Sequence, residues 1–154
     1  FSAVLLNSDE NAVSQIIQNP NASIALSDAG AHLTFFCDAA FGLHLMGHWA
    51  RDLNVLSMEN AIHELTAKPS KIFRIPKRGQ ITPGYHADLL LFDPTTVGRG
   101  PNRRVFDLPG KGPRLTCDAR GIHGVWVNGE QIADANGILS EAGRPGRLLR
   151  EFGS

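Results

Sequence analysis

A short polar segment of this chain combines residue types that can transfer a proton. An apolar run at residues 23–26 is followed directly by Ser27-Asp28-Ala29-Gly30-Ala31-His32. If the run is a buried parallel strand, Asp28 stands at its carboxyl end, where α/β proteins place groups that accept protons or hold metal ions. Taken alone, an aspartate at such a position is more often a helix cap or a turn residue.

Two histidines offer a second candidate site. His44 and His48 stand four residues apart, which is the ligand spacing of a zinc-peptidase helix. Such a helix also needs a glutamate beside the first histidine as general base, and position 45 is Leu. Because no third ligand is evident either, we interpret the pair as solvated or hydrogen-bonded helix histidines.

The cysteines and the basic residues suggest no further chemistry. Cys37 and Cys117 lie 80 positions apart and form no CxxC motif, which favours a reducing compartment. The neighbours of Cys37 do not activate a thiol, so we interpret it as a small buried apolar side chain. Arginines and a lysine cluster at residues 99–114 with a single aromatic residue among them, Phe106, in a chain of zero net charge, which predicts a solvated loop rather than a nucleic-acid surface.

The elements that would position these residues are helical in the first half. Ser8 precedes an acidic turn and paired apolar residues, which predicts a helix over about residues 9–18. Apolar residues at steps of four predict an amphipathic helix over residues 41–53. Ser57 caps a further helix, which the pair Lys68-Pro69 ends or kinks. With the buried strand expected at residues 23–26, these elements form an α/β unit.

The second half has the texture of β structure. A nearly continuous apolar run at residues 87–92 predicts a strand. The pair Asn128-Gly129 between apolar runs at 125–127 and 131–133 is a strong hairpin pattern. Residues 95–112 are rich in Gly and Pro and are predicted to form a long surface loop.

Composition limits the classes of function. The chain has 154 residues, 42% of them hydrophobic, and 15 Lys and Arg against 15 Asp and Glu. A formal net charge of zero supplies no field that would draw the chain to nucleic acid or to an anionic membrane. No apolar run reaches the length of about 18 residues that a membrane span needs. We expect a soluble, cytoplasmic protein with neither nucleic acid nor membrane as partner.

The sequence pattern changes from helical to β near residues 75–80, which predicts two parts, residues 1–77 and residues 78–154. A single buried strand needs parallel neighbours that the rest of the sequence does not supply. The chain also begins at Phe1 without an initiator methionine. We therefore expect a fragment of a longer protein.

Three segments together resemble the carboxy-terminal part of the amidohydrolase superfamily, specifically the N-acyl-D-amino-acid deacylase (D-aminoacylase) group. The first two are residues 26–32 and Thr66-Ala67-Lys68-Pro69-Ser70-Lys71-Ile72-Phe73. The third runs from Arg78 to Pro94 and is similar to the passage RG-x-I-x-x-G-x-x-ADL-x-x-x-D, where such chains leave a metal-dependent barrel. Residues 127–130 resemble the closing hairpin of the small β-sandwich that follows.

The resemblance implies a fold and a mechanism. Residues 1–77 would be the last part of a (β/α)8 barrel, and residues 78–154 most of a β-sandwich lobe with a tail. One or two zinc ions in the full-length enzyme would polarise the acyl carbonyl of an N-acyl-D-amino acid and generate hydroxide. Asp28 would accept the proton, deliver it to the departing nitrogen, and could also ligate a metal. His32 would contact substrate or, equally well, stabilise its loop by a hydrogen bond.

Other parts of the family pattern are absent from this chain. The remaining metal ligands of the family would lie upstream of Phe1, so the 154-residue chain alone is expected to hold no zinc and to be inactive. Two alternatives stay open. One is a cyclic-amide hydrolase similar to hydantoinases or dihydroorotases, and the other is a non-catalytic binding or oligomerisation module. Exposed apolar surface would favour a homo-oligomer in either case.

Overall fold

The computed structural model describes residues 7–25 and 27–152, with the helices first along the chain and the strands after them. The helices are α1 (Glu10–Ile17), α2 (Phe41–His44), a π-helix (Leu45–Asp52), α3 (Met58–Leu65) and α4 (Ala67–Ile72). The strands are β1 (Leu89–Phe92), β2 (Gly98–Val105), β3 (Arg114–Arg120), β4 (Ile122–Val127), β5 (Glu130–Asp134) and β6 (Gly137–Ile138). A 3-10 turn at Pro109–Lys111 precedes β3.

The first predicted helix is confirmed as α1. Its cap is Asp9 rather than Ser8, because the Asp9 carboxylate accepts hydrogen bonds from the backbone N–H groups of Asn11 and Ala12 at 2.9 and 3.3 Å. These bonds satisfy two of the donors that every helix start leaves free. The segment therefore begins one residue later than its polar pattern suggests.

The second predicted helix is confirmed, with a change of pitch. It starts as α2 and continues as the π-helix, in which the Leu53 N–H donates to the His48 carbonyl five residues back at 2.9 Å. The i→i+5 bond adds a residue to each turn, so apolar residues at steps of four no longer share one face. Leu45 and Trp49 are buried as predicted, whereas Leu53 is 42% exposed.

The third predicted helix is confirmed as α3, which begins where Ser57 Oγ accepts a hydrogen bond from the Asn60 N–H at 3.2 Å. The break falls at Thr66, earlier than the pair Lys68-Pro69 suggests. Proline prevents α3 from continuing as one regular helix. Pro69 lies instead in the first turn of α4, where its missing N–H has no helical partner to lose.

The strands form two antiparallel sheets. The larger has the order β1-β4-β5-β6, and the smaller pairs β2 with β3. The predicted hairpin joins β4 to β5 through Asn128 and Gly129, whose φ angles of 51° and 87° are both positive, as a tight primed turn requires. The predicted strand at residues 87–92 is also confirmed, with β1 occupying its last four residues.

The prediction of a loop at residues 95–112 is wrong for most of that stretch. β2 pairs with β3 from Gly98 opposite Arg120 to Val105 opposite Arg114, with a register shift around Pro101. Proline cannot donate to a ladder and is tolerated at such a bulge. Cross-strand charge supports the pairing, since Arg103 contacts Asp118 at 2.9 Å. A narrow ribbon with polar side chains lacks the apolar alternation that identifies a strand in sequence.

The prediction of a buried parallel strand at residues 23–26 is also wrong where the structure describes it. Residues 23–25 belong to no strand, and Ser23 and Ala25 are exposed, while Leu26 lies outside the described residues. Ile24 alone packs against the core. A strand is stable only when a neighbour takes up its backbone hydrogen bonds. The described parts of the chain offer this segment no such neighbour.

The core joins the helices to the start of β2. Its buried apolar residues are Leu45, Met46, Trp49, Ala50, Ala61 and Val97. Val97 is fully buried and is packed where the π-helix comes closest to the strands. Gly47 permits this approach, because a Cβ at that position would lie 2.8 Å from the Val97 carbonyl oxygen and 2.9 Å from the Cα of Gly98.

We predict that Gly47→Ala lowers the free energy of unfolding by about 1–3 kcal/mol, since the added methyl overpacks a rigid backbone contact. Gly42→Ala is the matched control, because its Cβ would meet only the flexible Leu65 side chain at 3.4 Å. In a helix that change is stabilising by up to about 1 kcal/mol. Urea denaturation of both variants measures the difference. Equal losses in the two variants would contradict the proposed close approach.

A polar network ties the segment before β1 to the β4–β5 hairpin. The Arg78 guanidinium contacts the Asp88 carboxylate and donates to Asn128 Oδ1 at 2.9 Å. The Asn128 N–H donates to Asp88 Oδ1 at 2.8 Å. Burial by itself raises the pKa of Asp88, but the Asn128 N–H and the Arg78 guanidinium outweigh burial and hold that pKa below its usual value. Asp88 is therefore bound as a carboxylate.

We predict that Asp88→Asn lowers the free energy of unfolding by about 1–3 kcal/mol at neutral pH. Because the pKa of Asp88 is lower in the folded chain than in the unfolded chain, its stabilisation is present above about pH 4 and is lost as the pH falls further. The gap between wild type and variant should thus be smaller at about pH 3 than at about pH 7 by urea denaturation. Asp134→Asn, which removes a carboxylate from the same sheet without an arginine partner, should show little such change.

Candidate functional site

The candidate acid–base residue lies in a non-regular stretch, residues 27–40, hereafter the Asp28 segment. Its first part is a tight turn in which the Ala31 N–H donates to the Asp28 carbonyl at 2.8 Å. The Ala29 N–H donates to Ser27 Oγ at 3.2 Å. Gly30 has a φ of 99°, which side chains rarely allow. Backbone groups and Ser27 therefore form the turn, and the Asp28 side chain takes no part in it.

The Asp28 side chain is exposed, and within residues 7–25 and 27–152 no hydrogen bond or ion pair engages its carboxylate. Asp38 is the other aspartate of which this is true. The remaining aspartates cap a helix, stabilise a turn or pair with an arginine: Asp9, Asp52, Asp88, Asp93, Asp107, Asp118 and Asp134. Among the described residues, the Asp28 carboxylate therefore neither caps a helix nor bonds within its turn.

His32 lies four residues after Asp28, and its side chain is also exposed. Its φ of 50° is left-handed, and its carbonyl accepts hydrogen bonds from the N–H groups of Phe35 and Phe36 at 3.1 and 3.0 Å. The imidazole stacks on the Phe35 ring with centroids 5.2 Å apart. The backbone of His32 thus helps to shape the segment, while a ring nitrogen remains able to meet a ligand.

Two contacts hold the Asp28 segment against the smaller sheet. The Leu115 N–H of β3 donates to the Leu33 carbonyl at 2.7 Å. The Arg99 guanidinium of β2 donates to the Cys37 carbonyl at 3.2 Å. Close by, the Cys37 thiol donates to Cys117 Sγ at 3.8 Å. The smaller sheet was not predicted from the sequence. The contact between the two cysteines was not predicted either, since no sequence pattern links residues that are 80 positions apart.

The two helix histidines have structural partners. Their rings stack almost parallel with centroids 4.7 Å apart, and His48 Nε2 lies 2.7 Å from Glu10 Oε1 on α1. Burial and then the neighbouring His48 lower the pKa of His44, so its ring is mostly neutral near pH 7. The interpretation as hydrogen-bonded helix histidines is confirmed for His48.

A complete metal site is not formed by the described residues. Nowhere in that part of the chain do three or more His, Cys, Asp or Glu side chains meet in a way that could hold a metal ion. A catalytic zinc needs about three protein ligands, and Asp28 by itself offers one carboxylate. The residues present therefore do not fit a zinc ion unless other ligands join them.

Two of the cavities formed by the described residues are lined partly by the helices. The larger, about 550 Å³, is a mainly apolar groove lined by α3, β1 and β4, and Asp28 does not line it. The smaller, about 360 Å³, adjoins the Asp28 segment and is lined by residues that include Phe36, Cys37, Asp38, His44 and Arg99. Neither cavity contains a set of groups that could carry out hydrolysis by themselves.

The helices are short. In residues 7–25 and 27–152, none has both the length and the apolar character needed to cross a membrane.

Comparison with known proteins relates the chain to deacylases. It is 39% identical over 99 residues to the N-acyl-D-aspartate deacylase of Alcaligenes xylosoxydans xylosoxydans, an alignment that covers 64% of this chain and 18% of that protein. It is also 39% identical over 105 residues to the D-aminoacylase of the same organism, covering 68% of this chain and 19% of the relative.

A solved structure agrees with these relatives. The crystal structure of N-acyl-D-glutamate deacylase from Bordetella bronchiseptica, complexed with zinc and a phosphonate inhibitor that mimics the tetrahedral intermediate, matches with a TM-score of 0.70 and 31% identity. The match covers 93% of this chain and 28% of that one. The chain thus spans less than a third of the length of these relatives.

The resemblance noted from the motifs is confirmed by a family model described as "Amidohydrolase family", which matches residues 6–133. That range includes the Asp28 segment, the helices and most of both sheets. The chain therefore belongs to the amidohydrolase family and is similar to D-aminoacylases.

Proposed function

We propose that this chain is part of an enzyme that hydrolyses the amide bond of N-acyl-D-amino acids. The Asp28 carboxylate carries the proposal, because it is exposed on a turn formed by other groups and has no hydrogen-bond partner among residues 7–25 and 27–152. The relatives support the substrate class, since their names specify N-acyl-D-aspartate and N-acyl-D-glutamate as substrates.

Asp28 has a defined part in this proposed reaction. Its carboxylate accepts a proton from the water that attacks the acyl carbonyl. The resulting acid then gives the proton to the amide nitrogen as the carbon–nitrogen bond breaks, so that a free amine leaves and the carboxylate is regenerated. An exposed carboxylate that has no partner in the described part of the chain suits this cycle, because a proton can be accepted and released there without breaking a contact between described residues.

The proposal also extends to the surrounding protein. Residues 1–77 are proposed to be the last part of a barrel and residues 78–154 a small β-sandwich lobe with a tail. The enzyme is proposed to hold one or two zinc ions, with Asp28 as a possible ligand and the other ligands outside this chain. The 154-residue chain alone is then inactive, because the described residues bring no complete ligand set together.

A second candidate role is that of a non-catalytic interaction module. It is favoured by the apolar residues of β1, since Leu90 and Leu91 are 46% and 54% exposed. An exposed apolar strand of this kind favours association with another protein surface. The hydrolase role requires the Asp28 carboxylate, whereas the role as an interaction module does not.

The proposed substrate class can be tested with the complete protein that carries this chain. We predict hydrolysis of N-acyl-D-amino acids, with acidic amino acids included in the panel, and no hydrolysis of hydantoin or dihydroorotate. Release of free amine measures turnover for the open-chain amides, and loss of ultraviolet absorbance measures ring opening. Hydrolysis of the cyclic amides only would favour the cyclic-amide alternative, and the 154-residue chain serves as the expected inactive control.

The role of Asp28 predicts that Asp28→Asn in the complete protein lowers kcat/KM by about 10²–10⁴-fold, because the amide cannot accept the proton. Asp38→Asn is the matched control, since Asp38 is the other aspartate with no partner among the described residues. It should retain nearly normal turnover. Metal content is measured in each variant to separate lost proton transfer from lost ligation.

Near-normal turnover of Asp28→Asn with its metal retained would remove Asp28 from the mechanism and leave the interaction module as the leading role. The same assay tests His32 as a substrate contact. His32→Asn preserves access to the left-handed backbone, so a raised KM at unchanged kcat supports contact with substrate, whereas unchanged KM supports a purely structural role.

A further inference from the structure

The two cysteines of this chain face one another across the boundary between the Asp28 segment and β3. The sulfur atoms of Cys37 and Cys117 are 3.8 Å apart, and both residues are partly buried and unbonded covalently. A disulfide needs the sulfurs about 2.05 Å apart. The two sulfur atoms need to move closer by less than 2 Å. Cys37 lies in a stretch without regular secondary structure, where the backbone can make this movement.

We propose that Cys37 and Cys117 are a redox-sensitive modification site, at which oxidation forms a disulfide that ties the Asp28 segment covalently to β3. The inference is independent of the proposed reaction, because it concerns a bond between two side chains and not turnover. The proposal rests on the positions of the two thiols. The Leu33–Leu115 and Arg99–Cys37 hydrogen bonds already hold the segment against β3 and β2 near the thiols.

The oxidant we specify is a small disulfide such as glutathione disulfide. The Cys37 thiolate attacks one of its sulfurs and releases one glutathione, which leaves a mixed disulfide on Cys37. The Cys117 thiolate then attacks the Cys37 sulfur and releases the second glutathione. Two electrons pass from the protein to the reagent, and the two protons lost by the protein thiols end on the two glutathione thiols.

The surroundings of the pair set its response to pH. Burial, and then the Cys37 thiol, raise the pKa of Cys117, and Arg99 acts in the opposite direction. Less of Cys117 is therefore thiolate at neutral pH than in a free cysteine. Closure of the disulfide should accelerate as the pH rises, because the attacking group is the thiolate.

The protein is tested by equilibration in glutathione redox buffers, followed by alkylation and tryptic digestion without reductant. Residues 1–50 contain no Lys or Arg, so the Cys37 peptide ends at Arg51, and the Cys117 peptide is Leu115–Arg120. We expect these two peptides to appear joined, with the mass of two hydrogens lost, and to separate on reduction. Absence of the joined species in oxidising buffer would overturn the proposal.

A shifted thiol tests whether the native geometry drives the reaction. The double variant Cys117→Ser, Thr116→Cys keeps one thiol in the same strand but directs it to the opposite face. It should give little joined product. An equal yield would overturn the proposal, because it would show that any thiol in this region reacts with Cys37.

A second measurement needs no variant and so does not depend on the folding of one. The equilibrium constant between the thiol pair and glutathione is compared for the native protein and for the protein unfolded in urea. We expect a larger constant in the native protein, because folding holds together two thiols that are 80 residues apart in the chain. An equal or smaller native constant would overturn the proposal.

The tethering effect has its own readout. Phe35 and Phe36 are 61% and 37% exposed and immediately precede Cys37, so chymotrypsin can cleave there. Cleavage of the oxidised protein should be several-fold slower than cleavage of the reduced protein, because the tether limits local opening. Cys37→Ser treated with the same oxidant should show no change. Equal rates for the oxidised and reduced wild type would overturn the tether.

Discussion

The contact between the π-helix and Val97 is the constraint on which the rest of the structure depends. Gly47 lets the helix backbone approach the Val97 carbonyl, and Arg51 donates a hydrogen bond to the same oxygen. Val97 immediately precedes β2, so its burial sets where β2 lies and, through the ladder, where β3 lies. β3 then holds the Asp28 segment through Leu115. The position of the candidate catalytic carboxylate thus depends on core packing.

The motif at residues 78–94 has a structural role, which differs from the catalytic role proposed for Asp28. Within the passage from Arg78 to Pro94, Arg78 and Asp88 bind each other and the hairpin residue Asn128. These contacts fix the connection between the helices and the larger sheet. In this chain Arg78 and Asp88 therefore have a structural role, and Asp28 stands about fifty residues before Arg78.

Local patterns predicted the elements whose stability is local. The cap at Ser57 and the Asn128-Gly129 turn were recognisable because each satisfies its own backbone groups within a few residues, whereas the cap of α1 is Asp9 and not the predicted Ser8. The β2–β3 ribbon was missed because its polar strands show no apolar alternation and their pairing is supported by cross-strand charge. The expected strand at residues 23–26 failed for the opposite reason, since an apolar run cannot specify a strand without a neighbour to pair with. That the Asp28 carboxylate has no partner among the described residues was likewise unpredictable, because it depends on which groups form the turn.

Most aspartates of this chain stabilise the fold through hydrogen bonds or ion pairs, whereas Asp28 is the one proposed to act in the reaction. Within the described residues, no buried side-chain nitrogen or oxygen lacks a hydrogen-bond partner, so the polar groups of the interior are satisfied. Asp88, although exposed, is also bound by partners, and its contacts favour one charge state and would oppose repeated protonation. A group that must gain and lose a proton is better placed outside such networks, where neither state costs folding free energy. Asp28 is exposed on a turn that backbone groups and Ser27 form, so its side chain is not needed to hold the turn. The Asp28 segment is held in place by its hydrogen bond to β3 instead.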